Sequence, residues 1–149
     1  MLIDKKHIGM KVPPHSVRLT AWQLKWFAKA TGETNPLYFD EEAARQAGLP
    51  GVLAPPTFFF CMDMDKEHPF DYLETMGCDL MKMLHGEQSF TYHQPVYSGD
   101  TLYSVLIVSE LVPGRTTGVL TMRSEVLNQR RELVMDGFHK YLLRRRPAA

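Results

Sequence analysis

The segment at residues 57–64, TFFFCMDM, sets the tightest limit on how this chain can fold. In a helix its apolar side chains would cover nearly the whole circumference, and a helix of that kind is buried rather than amphipathic. A buried strand is the competing interpretation, because short apolar runs do not separate the two structures. The preceding Pro55-Pro56 pair favours a helix start, since proline is well tolerated in the first helical turn.

The second half of the chain is dominated by β-like runs. Long runs at residues 101–110, 115–128 and 132–143 are separated by short breaks, and a shorter alternating segment occupies residues 88–92. This pattern predicts a meander of long antiparallel strands. One buried helix combined with such a sheet defines an α+β fold. The economical packing is a curved antiparallel sheet wrapped around the central buried helix.

Local signals predict the shorter elements of the first half. Residues 16–19 are expected to be extended, Thr20 is a suitable N-cap for a first helix, and Gly32 is expected to end it. Asp40 can cap a second, short helix over residues 41–47. No clear periodicity marks residues 68–78, and we predict an irregular excursion there.

Composition excludes several classes of protein. At 149 residues the chain is expected to form a single domain over residues 1–149. Seventeen basic and seventeen acidic side chains balance, so no general attraction to nucleic acid is expected, and the arginine run at residues 144–146 is read as a solvated tail. The sequence shows no signal peptide and no apolar run of membrane-spanning length, which predicts a cytoplasmic protein without a membrane interaction.

Two cysteines, Cys61 and Cys78, are too few for a disulfide framework or a zinc site. The sequence implies no metal site and no cofactor. His85 and His93 cannot share a metal, because eight residues of extended strand would separate them by about 26 Å.

Three segments carry a resemblance to a known family. They are residues 31–40 (TGETNPLYFD), 51–58 (GVLAPPTF) and 85–100 (HGEQSFTYHQPVYSGD). In this order, and with the long final strands, they resemble the MaoC-like hydratase/dehydratase superfamily, whose members have the hot-dog fold. The closer similarity is to the N-terminal, fatty-acid-synthase-type dehydratase branch, which includes the non-catalytic subunits of mycobacterial (3R)-hydroxyacyl-carrier-protein dehydratases.

The resemblance implies an altered catalytic pair. Catalytic members carry Asp-x-Asn-Pro-x-His, in which the Asp and His bind one water and act as base and acid on a 2-enoyl thioester. Here Glu33 stands at the Asp position and Tyr38 at the His position, whereas Asn35 and Pro36 are retained. The additional methylene of glutamate displaces the carboxylate, and tyrosine is a poorer acid–base group than histidine near neutral pH. Either both residues still act, or Glu33 caps the loop locally and Tyr38 packs at the sheet edge.

The resemblance also implies where an acyl thioester would bind. Catalytic members carry a His-Gly pair at the start of the central helix, and its glycine N–H polarises the thioester carbonyl. Pro55-Pro56 occupies those positions here, and proline has no N–H, so the donor would be Thr57 N–H or another group. His85 either assists catalysis from the ligand tunnel or is an ordinary strand histidine. The expected substrate-binding residues are Asn35, Pro56, Thr57, Phe58 and Gln88.

The function implied by this resemblance is a subunit of a hydratase/dehydratase for 2-enoyl and (3R)-3-hydroxyacyl thioesters of coenzyme A or acyl carrier protein. The chain would be active itself, or it would hold the acyl chain while a MaoC-type partner supplies the Asp/His dyad. A hot-dog thioesterase is a third alternative. A two-fold homodimer or a heterodimer with a MaoC-type subunit is expected, because sheets of this fold normally pair edge to edge.

Overall fold

The computed structural model describes residues 4–144, so the last two arginines of the run at 144–146 lie outside the described residues. The four α-helices are α1 (Ala21–Ala30), α2 (Glu41–Gln46), α3 (Phe58–Met64) and α4 (Asp71–Thr75). The five strands are β1 (His15–Arg18), β2 (Met83–Tyr92), β3 (Thr101–Val112), β4 (Thr117–Leu127) and β5 (Leu133–Arg144). Single 3₁₀ turns lie at Lys5–His7, Pro36–Tyr38 and Leu80–Lys82.

The strands form one antiparallel sheet in the order β1-β3-β4-β5-β2. The predicted meander of β3, β4 and β5 occupies its centre, and β1 and β2 form its two edges. With the helices, this sheet confirms the predicted α+β, hot-dog architecture.

The apolar segment is a helix, α3, and not the alternative strand. Phe58, Phe59 and Met62 are buried against sheet residues that include Leu102. Asp63 is also buried, although it is charged. Ser104 Oγ donates a hydrogen bond of 2.9 Å to Asp63 Oδ1, and burial raises the pKa of the Asp63 carboxyl.

The predicted helix boundaries of the first half are confirmed by their capping bonds. Thr20 Oγ1 accepts the Gln23 N–H at 3.2 Å and completes a capping box at the start of α1. Gly32 follows the end of α1 with a φ of 73°, a left-handed value that favours glycine. Asp40 accepts the N–H groups of Glu42 and Ala43 and caps α2.

Two local predictions are wrong. Residues 68–78 are not wholly irregular, because they contain α4, whose Tyr72 and Leu73 are buried in a core formed with β3, β4 and β5. Strand β2 begins at Met83, well before the predicted segment at 88–92. A β-bulge between His85 and Glu87 shifts the register there and interrupts the alternation that would mark the strand.

No helix within residues 4–144 has the length and apolar character needed to cross a membrane.

Candidate functional site

The loop at residues 31–40, here called the motif loop, is held by local hydrogen bonds. Glu33 N–H donates to the Ala28 carbonyl at 2.9 Å, and this bond joins the loop to the end of α1. Asn35 Oδ1 accepts the Leu37 N–H at 3.1 Å and caps the Pro36–Tyr38 turn. Pro36 occupies the first turn, where a missing N–H costs nothing. The retained Asn-Pro pair therefore defines the shape of the loop.

The Glu33 carboxylate also bonds to the motif loop. Its Oε1 accepts the N–H groups of Thr34 at 2.8 Å and Asn35 at 2.9 Å. Glu33 is half-buried, and this geometry is that of a local backbone cap. Without that oxygen, both N–H groups would need other hydrogen-bond acceptors.

Tyr38 lines a cavity of about 330 Å³, here called the Tyr38 cavity. Its walls come from the Pro36–Tyr38 turn, the segment before α3, and the end of β2 with the turn that follows it. The lining residues are Tyr38, Leu53, Ala54, Pro56, Phe59, Tyr92, His93, Gln94, Pro95 and Val96. Most of these contribute apolar surface, which suits an apolar ligand better than a charged one.

Tyr92 connects the end of β2 to the start of α3. Its hydroxyl donates to the Pro56 carbonyl at 2.8 Å, and its ring lies 5.9 Å from that of Phe59. Burial raises the pKa of Tyr92, and the nearby Tyr38 adds to the effect. Sequence reasoning did not single out Tyr92, although strand alternation places it on the same face of β2 as Phe90.

The segment before α3 offers few donors to a ligand carbonyl. Pro55 and Pro56 have no N–H, and the Phe58 N–H donates to the Pro55 carbonyl at 3.0 Å. Thr57 makes no side-chain cap, and its N–H is one candidate donor at this helix start.

Phe58 does not line the Tyr38 cavity, and of the five expected ligand-binding residues Pro56 alone does. It is buried and packs edge-on against Phe27 of α1, with ring centroids 5.4 Å apart. Pro56 lies in the cavity wall, and so does Phe59 of α3. Asn35 supports the wall indirectly, because it caps the turn that carries Tyr38.

His85 and Gln88 lie in a second cluster on β2, apart from the residues that line the Tyr38 cavity. The His85 ring stacks on Phe60 with centroids 5.2 Å apart and lies 5.3 Å from the ring of Tyr141. Gln88 lies opposite His139 of β5. Burial lowers the pKa of His139 to about 4, with a smaller contribution from His85. The imidazole of His139 is therefore neutral near pH 7.

His93 lines the Tyr38 cavity but was considered in the sequence only as a metal ligand. Its Nε2 lies 2.6 Å from Asp136 Oδ2. Asp136 follows the buried Met135 on β5 and belongs to the less buried set of that strand. Asp136 therefore engages the Nε2 atom of the His93 imidazole.

Residues 4–144 contain no group of three or more His, Cys, Asp or Glu side chains arranged to hold a metal ion.

A second cavity, of about 510 Å³, lies between α1 and α3 and is separate from the Tyr38 cavity. Its rim includes Trp22 and Trp26, whose exposed fractions are 67% and 53%. Phe58 and Met62 form its inner wall.

The chain is similar to proteins of one family in both sequence and structure. Residues 6–137 match the family model described as FAS1-like, dehydratase domain region. A UPF0336 protein of Saccharopolyspora erythraea is 33% identical over 127 residues, which cover 85% of this chain and 81% of that protein. A UPF0336 protein of Streptomyces coelicolor is 31% identical over 145 residues, 97% of each chain.

Among solved structures, the C-terminally truncated HadBC (3R-hydroxyacyl-ACP dehydratase) complex from Mycobacterium tuberculosis is similar with a TM-score of 0.75. The sequences are 25% identical, and the match covers 93% of this chain and 99% of that one. The fold, the motif loop and these matches agree. The chain belongs to the FAS1-like dehydratase domain family of the MaoC-like superfamily.

Proposed function

We propose that this chain is the acyl-binding subunit of a hydratase/dehydratase that interconverts 2-enoyl and (3R)-3-hydroxyacyl thioesters. It is a single hot-dog domain over residues 1–149 and acts in the cytoplasm. The acyl group is carried by coenzyme A or acyl carrier protein. A MaoC-type partner supplies the Asp/His dyad. One observation carries this proposal: Glu33 Oε1 is already bonded to the Thr34 and Asn35 N–H groups.

Hydration of an enoyl thioester needs two proton transfers. A base removes a proton from water as its oxygen adds to C3, and an acid delivers a proton to C2. In the motif loop the residue at the base position serves as a backbone cap, and the residue at the acid position is Tyr38. His93 also lines the cavity, but its Nε2 is already paired with Asp136 at 2.6 Å. These features favour a binding role over independent catalysis.

The Tyr38 cavity suits the reactive end of an acyl thioester. Its walls are mostly apolar, as an acyl chain requires. Thr57 follows Pro56 of the cavity wall at the start of α3, and its N–H is the donor that we propose for the thioester carbonyl. Asn35 maintains the turn that carries Tyr38, so its effect on binding is exerted through the shape of the wall.

The free edge of β2 supports pairing with a second chain. This strand is ten residues long, and its Leu84 and Tyr92 are 50% and 47% exposed. Long edge strands with exposed apolar side chains pair readily with another chain unless they are protected. Because Tyr92 also lines the Tyr38 cavity, a subunit paired along β2 would lie beside the ligand. The similar HadBC dehydratase is itself a complex.

The proposal is tested by hydration of crotonyl-CoA. The purified chain is expected to give no turnover, and co-expression with a MaoC-type partner is expected to restore it. Robust turnover by the chain alone that is abolished in Glu33→Gln would instead establish it as an enzyme in its own right. Release of the free acid would identify a thioesterase.

A further inference from the structure

The cavity between α1 and α3, here called the α1–α3 groove, opens to the surface on the side of the molecule away from β2. Its inner wall includes Phe58 and Met62, and Val17 of β1 also lines it. Because β1 and β2 are the opposite edges of the sheet, a partner paired along β2 would leave this groove uncovered.

The α1 side of the groove carries an exposed aromatic ridge. Trp22 and Trp26 are four residues apart, so they lie on the same face of the helix. Both are more than half exposed, and their ring centroids lie 5.9 Å apart. Contiguous exposed apolar surface beside a groove marks an interaction site, and tryptophan is among the residues that dominate binding energy at interfaces.

The two sides of the groove carry opposite charges. On the α1 side, Lys29 Nζ lies 5.4 Å from the centre of the Trp26 ring. On the other side, Asp65 lines the groove at the C-cap of α3. Both charged residues are exposed, and neither takes part in a salt bridge within residues 4–144. Lys25, by contrast, is already bonded to Glu41 at 3.0 Å.

We propose that a second copy of this chain occupies the α1–α3 groove, so that α1 of each copy packs into the groove of the other. A two-fold interface requires a self-complementary surface, on which residue i meets residue j of the other copy and residue j meets residue i. This surface meets that requirement, because it supplies both the groove and the aromatic ridge that fills it.

The charges fit the same two-fold arrangement. Phe27, near the end of α1, packs against Phe58 at the start of α3 with ring centroids 5.4 Å apart, so Asp65 lies at the end of α3 away from that contact. A two-fold axis across the groove sets the two α1 helices antiparallel. Lys29, in the last turn of α1, is thereby directed towards Asp65 of the other copy, and the contact occurs twice.

The inference is tested by sedimentation equilibrium of the purified full chain over a range of concentrations. The wild type is expected to form a dimer. Trp26→Ala should raise the dimer dissociation constant by at least about tenfold, because a tryptophan at the centre of an interface contributes strongly to binding. Since Trp22 and Trp26 are the two tryptophans of the chain, intrinsic fluorescence should shift to shorter wavelength as the dimer forms.

Charge reversal distinguishes this interface from pairing along β2. Lys29→Asp and Asp65→Lys each place like charges together at both symmetric contacts, and each should weaken the dimer about tenfold. The double variant makes the charges opposite again and should recover most of the affinity. Lys5→Asp, at an exposed lysine of the first 3₁₀ turn, is the matched control and should leave the dissociation constant unchanged.

A monomeric wild type would overturn the inference, as would an unchanged dissociation constant in Trp26→Ala or a double variant that associates no more tightly than the single variants. A fluorescence shift of the monomer on addition of decanoyl-CoA would overturn it in favour of an acyl ligand in the groove. Loss of MaoC-type partner binding in Trp26→Ala would overturn it in favour of that partner. A circular dichroism spectrum of each variant separates lost association from lost folding.

Discussion

The motif loop and the inner face of β2 use their polar groups in opposite ways. In the motif loop, Glu33 and Asn35 direct side-chain oxygens to backbone N–H groups a few residues away. On the inner face of β2, Gln88 and His139 face each other across two strands and leave polar atoms unpartnered. The residue at the family's base position, Glu33, thus caps the loop here, whereas the unpartnered polar atoms lie buried farther along β2.

The largest predicted effect on stability concerns His139 of β5, on the inner face of the sheet. Its pKa of about 4 means that the unfolded chain binds a proton that the folded chain does not, between pH 6.5 and 4. The free energy of unfolding should therefore fall by up to about 3 kcal/mol as the pH drops through that range. Urea unfolding at several pH values, compared with His139→Gln, measures the effect. An identical pH slope in both proteins would mean that His139 is not held neutral by burial.

A smaller effect on stability is expected from substitution of Gly137, whose lack of a Cβ allows β2 and β5 to approach each other. A Cβ at this position would lie 2.1 Å from the Ser89 carbonyl oxygen. Gly137→Ala should therefore destabilise the chain by about 2 kcal/mol through backbone displacement. Gly86→Ala is the matched control, since its Cβ would meet the Leu142 side chain at 3.2 Å and the Lys140 carbonyl oxygen at an ordinary contact distance of 3.5 Å. Equal melting temperatures for the two variants would show that the strands have room to separate.

The motif loop itself should respond to loss of its cap. Glu33→Ala removes the acceptor of two N–H groups and should cost about 1 kcal/mol in the free energy of unfolding. Glu33→Gln keeps a side-chain oxygen in place and should be close to neutral. Chemical denaturation distinguishes them. Equal stability of Glu33→Ala and the wild type would contradict the capping role.

The smallest effect is expected at His93. Its pair with Asp136 is partly exposed, with side-chain exposures of 39% and 28%, and such pairs contribute roughly 0.2–1 kcal/mol. His93→Asn should leave thioester affinity unchanged, because Nε2 of the imidazole is engaged by Asp136. A loss of affinity above about tenfold would place that ring at the ligand instead.

The parts of the fold that depend on local signals could be predicted from the sequence. Thr20, Gly32 and Asp40 act on neighbouring residues, and each occupies its predicted helix boundary. The first half of β2 was missed because the bulge at His85/Glu87 disrupts alternation. Helix α4 was missed because its short length leaves no period, and the burial of Tyr72 and Leu73 against distant strands stabilises it.

The candidate site was only partly accessible from the sequence, for a related reason. The resemblance located Glu33, Tyr38 and Pro56, and the alternative that Glu33 caps the loop locally agrees with its bonds to the Thr34 and Asn35 N–H groups. Gln88 and His139 are 51 positions apart, and only the register of β2 against β5 brings them together. Register depends on pairing across the whole sheet, so no local pattern could have identified the pair.

The central claim is tested most directly by the hydratase complex reconstituted with wild-type chain or with Glu33→Gln. The substitution keeps an oxygen for the Thr34 and Asn35 N–H groups but removes the carboxylate as a base. The account predicts that kcat/KM for crotonyl-CoA changes by less than about threefold. A loss of kcat/KM on the order of 10²-fold or more is the range expected for removal of a general base. That result would contradict the account and identify Glu33 as the base.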